Sequence, residues 1–147
     1  MSVRAQIENA LKDALRAGNE VRKTALRMAL AAIKMAEIEK RVVLDDSAVL
    51  AVLQKEVKTR REAIEDAQRA GRADLVAAAE ADIGILEEFL PKAMSAEELE
   101  ALVRQVIAEI GATSMKEMRQ VMQALMPRLQ GRATGDQASQ MARKFLQ

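Results

Sequence analysis

An all-α fold, with an N-terminal domain of about four helices followed by a small three-helix domain, is what this sequence predicts. Three observations carry that expectation. Ala, Leu, Glu, Lys, Arg, Gln and Met dominate, so local propensity favours helix along nearly the whole chain. Apolar residues recur at spacings of three and four rather than two. Only two prolines and six glycines interrupt 147 residues, most of them where an apolar series ends.

The first helix runs from about Val3 to Ala17 and closes at Gly18-Asn19, since glycine adopts the left-handed terminating conformation without a Cβ clash. The second runs from about Glu20 to Arg41 with Leu26, Leu30 and Ile33 on one face. Val21, Ala25, Met28, Ala32 and Met35 widen that stripe beyond the need of a singly packed helix, which predicts a central position. Asp45-Asp46-Ser47 caps a third helix reaching about Ala70, with Gly71 closing it. Its apolar series Val49, Leu50, Leu53, Val57 and Ile64 thins toward the C-terminal half, so that end is expected to be more exposed. A fourth helix from about Ala73 to Phe89 turns Val76, Ala79, Ile83, Leu86 and Leu90 inward. Pro91 disfavours helical geometry at Leu90 and divides the chain into domains 1–90 and 91–147.

Beyond Pro91 the helices shorten. Ser95 and Glu98 fit a capping box ahead of Leu99, Leu102, Val103, Val106 and Ile110, and Gly111 ends that helix. Ser114 and Glu117 form a second box before Met115, Met118, Met122 and Leu125, with Pro127 and Gly131 ending the helix. Thr134 and Gln137 make a weaker third box before Ala138, Met141, Ala142 and Phe145.

Composition excludes much chemistry. With no His and no Cys there is no conventional zinc site, iron–sulfur cluster, thiol nucleophile or Ser–His–Asp triad, so no metal and no cofactor are expected. Phe89 and Phe145 are the only aromatics, too few for RNA recognition on a stacked aromatic surface. Glu87-Glu88 and Glu97-Glu98 occupy adjacent helical positions and do not converge as acid–base pairs. No phosphate loop ending in Lys-Ser/Thr is present. Charges within the first 20 residues interrupt any signal-peptide core, and no stretch approaches the ~20 apolar residues of a membrane span. A cytoplasmic protein without membrane attachment is expected.

The net charge of +1 conceals polarity. Residues 1–41 carry +4, residues 74–100 carry −7, and residues 111–147 carry +4 from six basic and two acidic side chains. Those six, Lys116, Arg119, Arg128, Arg132, Arg143 and Lys144, are candidate phosphate contacts, although charge pattern alone favours a solvated charged face. In the loop 131–135, Gly131 and Gly135 flank Arg132 just before a helix start, where free amides favour an anion. Gly131, Thr134 and Gly135 are therefore candidate phosphate-loop residues, although the same pattern describes an ordinary turn between helices. The charges around Arg60 and Arg61 are expected to pair within their helix, Glu56 with Arg60 and Arg61 with Glu65. Nine methionines suggest adaptable peptide-binding surfaces, but Met115, Met118 and Met122 follow an apolar stripe and are expected to fill the core.

Several segments together resemble the GatB/YqeY family, in its free-standing YqeY type. They are Thr59-Arg60-Arg61-Glu62-Ala63-Ile64, Ala70-Gly71-Arg72-Ala73-Asp74-Leu75, Ile85-Leu86-Glu87-Glu88-Phe89-Leu90-Pro91, Met126-Pro127, and Gly131-Arg132-Ala133-Thr134-Gly135. The resemblance spans nearly the whole chain. It implies two helical domains, the second similar to the C-terminal module of the B subunit of tRNA-dependent amidotransferases. There the module helps hold tRNA while the chemistry resides in other domains and subunits. The sequence departs from the family pattern at Arg119, where a glycine is expected, and at Asp136, where a basic residue is typical.

Two functions are expected from these readings. One is an accessory tRNA-binding protein without catalytic machinery of its own. The other is a helical adaptor docking on an amidotransferase or an aminoacyl-tRNA synthetase, motivated by the acidic stretch 74–100.

Overall fold

The first backbone amides of each helix need acceptors, and short polar side chains supply them. Ser2 accepts from the Ala5 amide and opens α1 (Val3–Ala17). Asn19 accepts from Arg22 to open α2 (Glu20–Lys40), and Asp45 accepts from Ala48 to open α3 (Asp46–Arg69). These are followed by α4 (Ala73–Glu87), α5 (Ala96–Ile110), α6 (Met118–Leu129) and α7 (Gly135–Leu146). The computed structural model describes all residues, 1–147, as seven α-helices and no strand. They fall into two units, Met1–Pro91 and Lys92–Gln147.

In the first unit α2 packs against α1, α3 and α4. Its contribution to the core is narrow: Ala25, Leu26, Ala29 and Ile33 are at most 2% exposed. Leu26, Ala29 and Ile33 share one core with Ile7 of α1, Val49 and Leu53 of α3, and Ile83 and Leu86 of α4. The helix is central, as its broad stripe predicts, but the breadth has another meaning. Val21, Met28 and Met35 remain 57%, 49% and 62% exposed.

Glu37 ties three segments together. Its carboxylate accepts from the Arg4 guanidinium on α1 and from the Leu44 amide, at 2.9 Å, in the link to α3. Nearby, Asp46 accepts from the Val3 amide at 3.1 Å, fastening the start of α1 to the start of α3.

Arg60 is the buried charge of this unit, 8% exposed. Its Nη1 donates to Glu56 Oε2 at 2.7 Å, and its Nε lies 3.5 Å from Asp82 Oδ2 on α4. Pairing within the helix is thus half of its role. Arg61 turns to Glu87 on α4, at 3.1 Å, instead of to Glu65. Helical spacing cannot anticipate a partner 26 residues away.

The second unit packs Val103 and Val106 of α5 against Val121 and Leu125 of α6 and Ala138 and Ala142 of α7. Five local expectations are revised here and at the preceding boundary. The fourth helix ends at Glu87 rather than Phe89, short of Pro91. Only half of the Ser95 box forms: Ser95 accepts from the Glu98 amide at 3.1 Å, while the Glu98 carboxylate is taken by Arg132. Ser114 caps a 3-10 turn, Met115–Glu117, and Glu117 accepts from the Thr113 amide, so α6 starts three residues later than its box suggests. Pro127 lies inside α6, which continues because Leu129 is anchored in the core at 2% exposure. The third box, weakest in sequence, is complete: Thr134 accepts from Gln137 N at 3.1 Å and Gln137 accepts from Thr134 N at 3.0 Å. Met118 and Met122 pack on the core, but Met115 is 39% exposed and does not fill it.

Two predictions follow the buried polar contacts. Arg60→Ala is expected to cost about 1–3 kcal/mol in urea unfolding, and Arg60→Met less, because methionine keeps the packing volume. Equal losses in the two variants would assign the effect to the lost polar contacts alone, with no share for packing. For Glu37, the Arg4 hydrogen bond and then the Leu44 amide hold the carboxyl below the ordinary carboxylate range. Its contribution is therefore full above the unfolded pKa and lost as the pH falls through the lower native value. Glu37→Gln should lower the unfolding midpoint near pH ~7 and flatten the decline of stability toward pH ~3. Parallel acid limbs for variant and parent would refute this.

Candidate nucleic-acid interface

The six candidate basic residues of the second unit derive from four local structures. Lys116 sits in the 3-10 turn, Arg119 and Arg128 on α6, and Arg143 and Lys144 on the last turn of α7, all exposed. Arg132 lies in the loop 131–135 and is partly covered.

Two of the six are committed to other partners. Arg128 Nη2 donates to Glu109 Oε2 at 2.6 Å. That bond, with a second from Gln105, holds the Glu109 carboxyl below its ordinary range, while Glu109 raises the Arg128 guanidinium. Arg132 donates through Nε to the Lys92 carbonyl at 2.9 Å and through Nη2 to Glu98 Oε2 at 2.5 Å. The Met94 amide in turn donates to the Arg132 carbonyl at 2.8 Å. The loop is therefore stitched to the segment preceding α5, and a phosphate would have to compete with Glu98 for Arg132.

Helical geometry separates others. Arg119 and Arg128 are nine residues apart, which at 3.6 residues per turn sets them on opposite flanks of α6, about 180° apart. Arg143 and Lys144, about 100° apart on α7, share its solvent-facing half. Lys144 also lines a groove of about 270 Å³ with Ser95, Leu99, Gln137, Gln140 and Met141. Arg104 escapes a sequence reading: its guanidinium lies 4.6 Å from the centroid of the Phe145 ring, and it pairs with Glu100 at 3.3 Å. The Glu100 spacing was visible in the sequence, whereas the stacking on Phe145 depends on how α5 meets α7.

Among the loop glycines, Gly131 has φ 76°, the left-handed region, whereas Gly135 is the first residue of α7. A Cβ at Gly135 would meet the terminal carbon of Met126 at 3.3 Å and its sulfur at 3.4 Å. Met126 is flexible and 47% exposed, so it can move aside. Thr134 is occupied by its capping role.

The chemistry available here is ionic and hydrogen-bonding. No group of three or more His, Cys, Asp or Glu side chains is placed to hold a metal ion. No helix is long and apolar enough to cross a membrane. The acidic stretch 74–100 is also not a free surface: Asp74, Asp82, Glu87, Glu88, Glu98 and Glu100 pair with Arg72, Arg60, Arg61, Arg22, Arg132 and Arg104.

Two helical units, the second carrying the exposed basic side chains, define an all-α class of protein. The chain belongs to the YqeY family, whose model, described as Yqey-like protein, matches residues 4–146. It is similar to an uncharacterized protein of Schizosaccharomyces pombe, 33% identical over 91 residues, covering 62% of this chain and 74% of the relative. It is also similar to the protein named Altered inheritance of mitochondria protein 41, mitochondrial, of Eremothecium gossypii, 35% identical over 113 residues. That match covers 74% of this chain and 61% of the relative, so the chain spans under two thirds of that protein's length.

Gly135 gives a direct test of the loop. Gly135→Ala is expected to leave the unfolding midpoint unchanged or slightly raised, since alanine favours helix by up to about 1 kcal/mol. If a phosphate approaches the α7 amides closely, the same variant weakens binding of tRNA in a filter or anisotropy assay. Unchanged affinity in a folded variant would remove the loop from the interface.

Proposed function

We propose that this protein is an accessory tRNA-binding protein of the tRNA-amidation type, holding tRNA for chemistry carried out by other chains. Lys116, Arg119, Arg143 and Lys144 support this reading most directly. They are exposed on a unit with few acidic residues after Gly111. Likeness to the module that helps hold tRNA in amidotransferases supplies the substrate class. Without aromatic platforms, recognition follows backbone and shape, and affinity depends on counterion release. Arg128 and Arg132 join the contact only by exchanging Glu109 and Glu98 for phosphate. An adaptor that docks through the acidic stretch is less well supported, because six of its acids are engaged within the chain.

Binding of tRNA measured from roughly 50 to 200 mM salt tests the proposal, with each phosphate contact contributing roughly 0.7–0.9 to the logarithmic slope. Replacing Lys116, Arg119, Arg143 and Lys144 together by alanine should weaken binding and reduce that slope. Absence of binding at low salt, or a slope unchanged in the fourfold variant, would overturn the reading.

A further inference from the structure

The outer face of α2 is unused by the fold. Val21, Thr24, Met28, Ala31, Met35 and Ile38 alternate at spacings of three and four, and all six are exposed. This is a heptad seam, with Val21, Met28 and Met35 at one position and Thr24, Ala31 and Ile38 at the other. It is centred roughly 150° around the helix from the core residues Ala25, Leu26, Ala29 and Ile33. Over about 26 Å of helix, a 3.5-residue period thus runs opposite the face that fills the core. A solvated face has no need of such a period. Nor does it need methionines, which adapt readily to a partner's side chains. Val42 and Val43, 54% and 78% exposed, prolong the apolar surface past the helix end.

The two edges of the seam differ. Along one edge the residues seven apart are Glu20, Arg27, Lys34 and Arg41, one acid followed by three cations, and all are exposed. On the other edge Ala32 and Ala36 slope into a groove of about 480 Å³ against Ala48, Ala51 and Val52 of α3, with the oppositely charged Glu39, Lys40, Lys55 and Glu56 also on its lining. Such a groove beside a seam receives a helix lying along α2. Charge then selects the occupant. A second copy running antiparallel would set Arg27 against Lys34 across the seam, like charges that the Glu20 and Arg41 pairs of the same register only offset, whereas an acidic flank would complement all three cations. A parallel copy would set Arg27 beside Ala32 and Lys34 beside Glu39, and so would pair only one of the three cations.

We propose that α2 and the α2–α3 groove form a docking site for an amphipathic helix of another protein, one whose flank facing Arg27, Lys34 and Arg41 is acidic. This surface belongs to the first unit and is independent of the tRNA reading, which concerns basic residues of the second.

The test uses the full chain and a labelled three-heptad peptide with leucine on its seam and glutamate on its flanks. A counterpart carries lysine in place of each glutamate. Fluorescence anisotropy should show the glutamate peptide binding about tenfold or more tighter than the lysine peptide. Met28→Ser with Met35→Ser should weaken it by about tenfold. Arg27→Glu with Lys34→Glu should reverse the preference, and circular dichroism should show both double variants folded. No binding of the glutamate peptide, equal affinity for the two peptides, or insensitivity to the methionine variant would overturn the proposal. A dimer seen by sedimentation velocity and dissolved by Met35→Glu would assign the face to a second copy instead. Displacement of the peptide by tRNA would assign the basic row to RNA.

Discussion

The N-terminal unit depends on one close packing arrangement. Ala25, Leu26, Ala29 and Ile33 present a narrow face in which two alanines accompany two large side chains, and α1, α3 and α4 all pack against this helix. Small side chains permit close approach, so a few fully buried leucines and isoleucines are enough to fill the space between helices. Because α2 meets three neighbours through less than half of its circumference, the rest of its surface is released from the core. The buried side chains on one face and the exposed heptad seam on the other are two consequences of that geometry.

Polar contacts decide how the helices are fastened once packed. Glu37 gathers α1 and the link to α3, Asp46 joins the starts of α1 and α3, and Arg60 joins α3 to α4. Each is at a position where a helix end or a covered charge would otherwise lack a partner, and leaving such groups unpaired costs more than the bond itself contributes. The same logic governs the second unit, where Arg132 satisfies the Lys92 carbonyl and Glu98 together. Arginine suits these places because its planar fork serves two acceptors at once. The consequence for function is direct: arginines spent on structure are less available to phosphate.

Helix existence, order and most boundaries were legible in the sequence, since they follow from local causes. Ser2, Asn19, Asp45, Ser95 and Thr134 cap through hydrogen bonds to residues three positions on, and Gly18 and Gly111 close their helices with positive φ. Pro127 misled because a proline's local penalty was outweighed by burial of Leu129 two residues later. The candidate site was legible only as a set of cations. Pairing of Arg128 with Glu109 and Arg132 with Glu98 joins residues 19 and 34 apart, and no helical spacing encodes that.

By itself, then, the sequence determined an all-α chain of seven helices, the absence of thiol and imidazole chemistry, and membership of the YqeY family. These depend on composition and on interactions within a few residues. Only the tertiary structure decided which charges are free and which are held, and which apolar face of α2 is buried. Both depend on neighbours distant in sequence: a helix with apolar residues on two faces can bury either, and the fit of α1, α3 and α4 selects one.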